Sequence, residues 1–169
     1  NETTTSTLAG GLLMLIRNPA ALAQVRADPP LIPNMVEEML RLETPTSGMW
    51  RVVKKDAMIA GVEAKAGTML MVRFAAANRD PSKYEDPDAF QPDRKNARTH
   101  LAFGRGIHMC VGNMLSRKEL AVAFQELLAR LDGFAVAPGA ELLWKPNMLL
   151  RGLSNLPLTF TARPQERAA

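Results

Sequence analysis

Cysteine is almost absent: Cys110 is the only one among 169 residues. A lone cysteine excludes an internal disulfide and suits a reducing compartment. Aromatic residues are scarce at 5%, while methionine reaches 10, so the core must rely on aliphatic and thioether packing. Long apolar runs are missing as well. None is long enough to span a bilayer and no signal peptide is legible, which predicts a cytoplasmic protein without membrane contact. There is no acidic excess, since the net charge is +4 and the pI about 9.6. The basic residues are scattered rather than gathered into an aromatic-laced stripe, so nucleic acid is the weakest partner class. Repeats and low-complexity segments are absent. What remains is 47% hydrophobic, enough for one domain with a sizeable core.

The single cysteine sits in an unusual place. Residues 103–112 read Phe-Gly-Arg-Gly-Ile-His-Met-Cys-Val-Gly, a glycine-punctuated turn just ahead of a long helix pattern. Unpaired N–H groups and the dipole at a helix start favour negative charge, and thiolate is the form that binds metal. Gly104 and Gly106 suit positive φ. Gly112 leaves room for a planar group against the helix, and His108 offers a donor at the rim. On its own, a lone cysteine has two readings: a small buried hydrophobe or such a ligand.

The remaining pattern is mostly helical. Residues 8–16 form an apolar helix pattern that stops before Asn18-Pro19, with residues 1–7 as a polar cap ahead of it. Residues 19–27 read as a short helix with proline in its first turn. Asp28-Pro29-Pro30 breaks it. A stronger helix spans 31–42, with Leu31, Met35, Met39 and Leu42 on one side. Glu38 and Arg41 share a face three residues apart, ordinarily a solvated pair of little worth. Short strands follow at 50–53, 58–60, 62–64 and 68–72, with turns at Gly61 and Gly67. Residues 83–99 read as an irregular, solvated loop. The clearest helix covers 111–131, with Val111, Leu115, Leu120, Val122, Ala123, Leu127, Leu128 and Leu131 as its apolar stripe and Gly133 as its stop. The tail, 134–160, reads as strands around turns, with a frayed end beyond Arg163.

The spacing Phe103-Gly104-x-Gly106-x-His108-x-Cys110-x-Gly112 resembles the cysteine-ligand loop of the haem-thiolate monooxygenases, the cytochrome P450 family. The resemblance implies haem b, with Cys110 as axial ligand to its iron and Phe103, Gly104, Gly106, His108 and Gly112 around it. Arg51 falls where the family places an arginine for a haem propionate, with His108 as partner; on composition it is equally a surface strand residue. Glu38-Met39-Leu40-Arg41 matches the Glu-x-x-Arg motif, which implies a buried network completed by Arg94. Asn1-Glu2-Thr3 resembles the end of the distal-helix motif. On that reading residues 1–17 are the second half of the distal helix, and Glu2 and Thr3 activate oxygen and relay protons.

The implied fold class is mainly α with small β-sheets (α+β), the carboxy-terminal part of the cytochrome P450 fold from the second half of the distal helix onward. In that frame residues 19–44 carry the Glu-x-x-Arg helices, 45–77 the small sheet and 78–102 a short helix and meander. Residues 103–112 are the ligand loop, 113–132 the proximal helix and 133–163 the terminal strands. Thr46, Gly48 and Met49 would line a substrate pocket, and Leu150 and Leu153 either touch substrate or belong to sheet core. The implied activity is hydroxylation of an apolar small molecule with O2 and electrons ultimately from NAD(P)H, through a ferredoxin-type or flavodoxin-like donor. Arg105, Arg117 and Lys118 would attract that donor, or simply solvate an exposed face. The alternative is a truncated, non-catalytic remnant that binds haem weakly or not at all and covers its apolar faces by self-association.

Overall fold

The computed structural model describes residues 2–164; Asn1 and residues 165–169, the greater part of the end expected to fray beyond Arg163, lie outside the described residues. Three helices build the core: α1 (Glu2–Arg17), α3 (Ile32–Glu43) and α5 (Asn113–Arg130). Leu12 and Leu15 from α1, Met35, Val36, Met39 and Leu40 from α3, and Leu120, Phe124 and Leu128 from α5 pack into one cluster. Gly11 permits the close approach. A Cβ there would stand 2.6 Å from the Met39 sulfur and 3.0 Å from the Phe124 ring. The short helix α2 (Pro19–Ala27) starts with proline and adds Val25 to the cluster.

Residues 2–7 form the first turns of α1, in place of the cap that the residues alone suggest, and the Thr7 hydroxyl donates to the Thr3 carbonyl at 3.0 Å. One sequence expectation changes here. Helix α3 is not one-sided. Every residue from Met35 to Glu43 is buried, including Glu37, Glu38, Arg41 and Glu43, while Leu31 falls outside in a single 3-10 turn, Pro29–Leu31. Paired charges make an all-round buried helix tolerable where a stripe pattern predicts a solvated face.

Glu38 is the centre of that pairing. Arg41 donates from Nε and Nη2 to its two oxygens at 2.7 and 2.8 Å. Arg94 Nε donates to Oε1 at 2.9 Å. The side chains of Glu38 and Arg41 are 0% exposed and that of Arg94 is 4% exposed. The spare guanidinium hydrogens go to main-chain carbonyls: Arg41 to Asn78 and Pro87, Arg94 to Glu85, Asp86 and Ala89. The stretch between α4 (Phe74–Ala77) and the cysteine loop has one 3-10 turn, Ala97–Thr99, as its regular structure. Its backbone is therefore held by buried arginines where other segments use a ladder.

Among the described residues, three two-stranded antiparallel sheets complete the fold. β1 (Met49–Val52) pairs with β4 (Met69–Val72), β2 (Ala57–Ile59) with β3 (Val62–Ala64), and β5 (Leu131–Val136) with β6 (Leu158–Ala162). Gly61 and Gly67 take positive φ, 80° and 88°, at the two turns. The bridge Thr46↔Leu150 ties the tail back to the turn after α3, and Trp144↔Leu153 folds the tail on itself. Helix α5 is shorter than its pattern at both ends. It stops at Arg130, and Leu131 opens β5. Gly133 is no helix stop; it sits at φ 59° in a register shift within the β5–β6 pair. The predicted stripe was too broad: Leu120 and Leu128 are buried with Phe124, whereas Val122 is exposed. The architecture is mainly α with small β-sheets, the expected class.

Candidate functional site

A cleft of about 770 Å³ lies between α1 and the cysteine loop. Thr3, Thr4 and Thr7 of α1 form one wall and residues 102–105 and 108–112 the facing one; Thr46, Met49 and Arg51 close a third side. The Thr4 and Ser116 hydroxyls, both bordering the cleft, are 2.9 Å apart and fix the spacing of α1 and α5.

The loop is built by its glycines. Gly104 and Gly106 take φ of 68° and 75°, a region costly for a side chain. A 3-10 turn, Gly106–His108, follows, and the Met109 amide donates to the Gly106 carbonyl at 3.0 Å. The Cys110 amide then donates back to the Phe103 carbonyl at 2.9 Å. This closed turn presents the Cys110 thiol at the cleft, exposed. The start of α5 lies three residues further on.

The sequence-derived residues divide among several places. Thr3, Thr46, Met49, Arg51, Phe103, Gly104, His108, Cys110 and Gly112 all border the one cleft. Gly106 shapes the loop behind them. Glu2 does not face the cleft. Its carboxylate accepts a hydrogen bond from Lys145 Nζ at 2.8 Å, and that ammonium holds it below the usual carboxylate range. Glu2 borders a second cleft, of about 600 Å³, together with Leu153. Gly48 packs on the Val72 carbonyl, 2.6 Å from where its Cβ would stand, and Leu150 bridges to Thr46. Glu38, Arg41 and Arg94 form the buried network described above.

Arg117 is not the solvated cation its position on an exposed helix face suggests. Its side chain is 17% exposed. Nε and Nη2 donate to the Glu37 oxygens at 2.7 and 3.2 Å, and the guanidinium lies over the Phe103 ring, 4.5 Å from its centroid. Glu37 also meets His100 Nε2 at 3.0 Å. The Ala102 amide donates to His100 Nδ1 at 3.1 Å, so Nε2 carries the proton and donates to Glu37. Burial alone would raise the Glu37 carboxyl; the bonds from His100 and Arg117 outweigh it and hold the group below its ordinary range. Sequence reasoning passed over Glu37 and His100. Arg105, assigned to the donor surface, borders the cleft.

The residues present fit the haem that the loop spacing implies. The donor set is one thiol on one wall, with Arg51, Arg105 and His108 as partners for carboxylates. Gly112 keeps the wall flat: a Cβ there would project beside the Cys110 sulfur, 3.9 Å away, with nothing nearer. Phe103, Met49 and Leu115 add apolar lining for a ring system.

The family model of cytochrome P450 matches residues 1–150. The chain is 38% identical over 161 residues to pentalenic acid synthase of Streptomyces avermitilis, covering 95% of this chain and 40% of that protein. It is 41% identical over 163 residues to the cytochrome P450 monooxygenase PikC of Streptomyces venezuelae, covering 95% and 39%. A solved structure, a substrate-free cytochrome P450 from Mycobacterium marinum, matches with a TM-score of 0.91 at 37% identity over 96% of this chain and 42% of that one. The chain thus spans about two-fifths of the length of these relatives. With the family model running through the helices, the buried network and the cysteine loop alike, the chain belongs to the cytochrome P450 family.

Proposed function

We propose that this chain forms the cysteine-ligand side of a haem-thiolate monooxygenase that hydroxylates an apolar small molecule. The observation that carries the reading is the meeting of the Cys110 thiol and Thr3 of the facing helix at one cleft. Cys110 would hold the haem iron through its sulfur, and Arg51 and His108 would hold the propionates, the arginine through its planar fork. Haem bound there supplies dioxygen activation, with electrons from NAD(P)H delivered by a ferredoxin-type or flavodoxin-like donor. Thr3 holds a proton at the cleft wall. Glu2, exposed and paired with Lys145, takes protons up from solvent on the same helix. Thr46 and Met49 meet the substrate, with Gly48 and Leu150 supporting that end of the pocket; Leu153, at the second cleft, is set apart from it. Lys118 attracts an acidic donor. No single helix among the described residues is long and apolar enough to cross a membrane.

A second reading has its own observation. Ile107 and Val111, flanking the thiol, are 97% and 100% exposed, and Met114 is exposed beside them. An apolar edge of this kind suits a remnant that self-associates and holds haem poorly.

One experiment separates the two. The chain is mixed with haem, reduced and exposed to carbon monoxide. A strongly red-shifted Soret band that Cys110→Ser abolishes supports the thiolate reading. A free-haem-like band, with oligomers in solution, supports the remnant.

A further inference from the structure

Glu37 lies outside the cleft, yet contacts run from it to both peptide groups of Cys110, by hydrogen bonds to the carbonyl and by way of the Phe103 ring to the amide. Arg117 is the junction. Its Nε and Nη2 are fixed on Glu37, and its Nη1 donates to Asn113 Oδ1 at 2.7 Å. The Asn113 side-chain amide then donates to the Cys110 carbonyl at 2.6 Å. On the other side the guanidinium face covers the Phe103 ring, and the Phe103 carbonyl accepts the Cys110 amide at 2.9 Å. His100, bound to the same Glu37 carboxylate, packs its ring against Phe103 with centroids 5.7 Å apart. One carboxylate on α3 therefore orients a guanidinium and an imidazole, and these brace the residues before and after the cysteine.

We propose that Glu37 is a positioning residue for Cys110. It acts through Arg117 and His100 to fix the direction in which the thiol enters the cleft. The inference rests on the reading of Cys110 as the iron ligand. Groups that orient a ligand from behind tune how firmly it holds its metal. Arginine is required at the junction. Its rigid fork reaches Glu37 and Asn113 at once and still stacks on an aromatic face, whereas lysine offers a single point charge.

Two variants test it. Glu37→Gln removes the charge with little change of shape. Arg117→Lys keeps the charge pair but cannot span Glu37 and Asn113, so it decides the matter if the first variant folds poorly. The first readout needs no haem: amide hydrogen exchange at Cys110 and Asn113 in the chain alone. We expect exchange at Cys110 to rise about tenfold in both variants, the equilibrium change that follows from losing roughly one net hydrogen bond, while exchange in α1 stays unchanged. The second readout is haem titration, where affinity should fall about tenfold and the thiolate Soret band should weaken. Parent-like exchange at Cys110 in Arg117→Lys overturns the proposal, whatever the haem does. Faster exchange with a free-haem-like spectrum in the parent chain also overturns it, by removing the ligand role on which it rests. That second result is distinguishable, because the clamp itself would then be seen to work.

Discussion

The Glu43 carboxylate fills the space that a side chain on Gly10 would need. The glycine, mid-way along α1, thus provides a niche for a buried charge at the end of α3.

The niche makes a substitution at Gly10 change sign with its neighbour. Alanine in a helix interior is about 1 kcal/mol better than glycine. At Gly10 that gain is outweighed by eviction of Glu43, so Gly10→Ala should lower the urea unfolding midpoint. In a Glu43→Ala background the same substitution should raise it. Equal effects in the two backgrounds would mean that the carboxylate does not fill the niche.

Two carboxylates on α3 should respond oppositely to pH. Burial outweighs the attraction of Arg151, Arg79 and Arg17 and raises Glu43 above 4.5. Its stabilising contribution is complete below that ordinary value and is lost as pH rises through the raised one. Glu43→Gln should therefore stabilise the chain at neutral pH, with the gain fading on acidification. Glu37 is held below 4.5; its contribution is present above that value and lost as pH falls through the lowered one. Glu37→Gln should flatten the acid limb of the stability profile. Urea midpoints measured across pH for both variants check this, and parallel shifts would refute it.

Arg41→Lys is conservative in charge alone. Lysine cannot grip both Glu38 oxygens while reaching the Asn78 and Pro87 carbonyls. A broken buried pair of this kind costs about 3–5 kcal/mol. We expect loss of the cooperative unfolding transition and poor soluble yield. A soluble variant with an unchanged midpoint would remove the network from its structural role.

Much of the site could be read in the chain, because its geometry forces residue types. Positive φ at Gly104 and Gly106 calls for glycine, and a short segment carries the whole turn. Glu38 and Arg41 lie three residues apart and were legible for the same reason. Glu37 was not: its partners His100 and Arg117 stand 63 and 80 positions away. Nor was the Thr4–Ser116 contact, which joins residues 112 apart. The all-round burial of α3 was hidden because charged residues read as a wet face until their partners are known. Glu2 was legible as helix but not as facing Lys145, since the direction of a side chain depends on a strand bridge far along the chain.

The stretch from Asn78 to Thr99 owes its course to two guanidinium groups. Such a segment has no ladder to nucleate on by itself, and closing long loops precedes any reward from the contacts they make. Its course depends on an α3 that turns its charges inward, so a change at Glu38, Arg41 or Arg94 reaches the cysteine loop through the chain that leads into it.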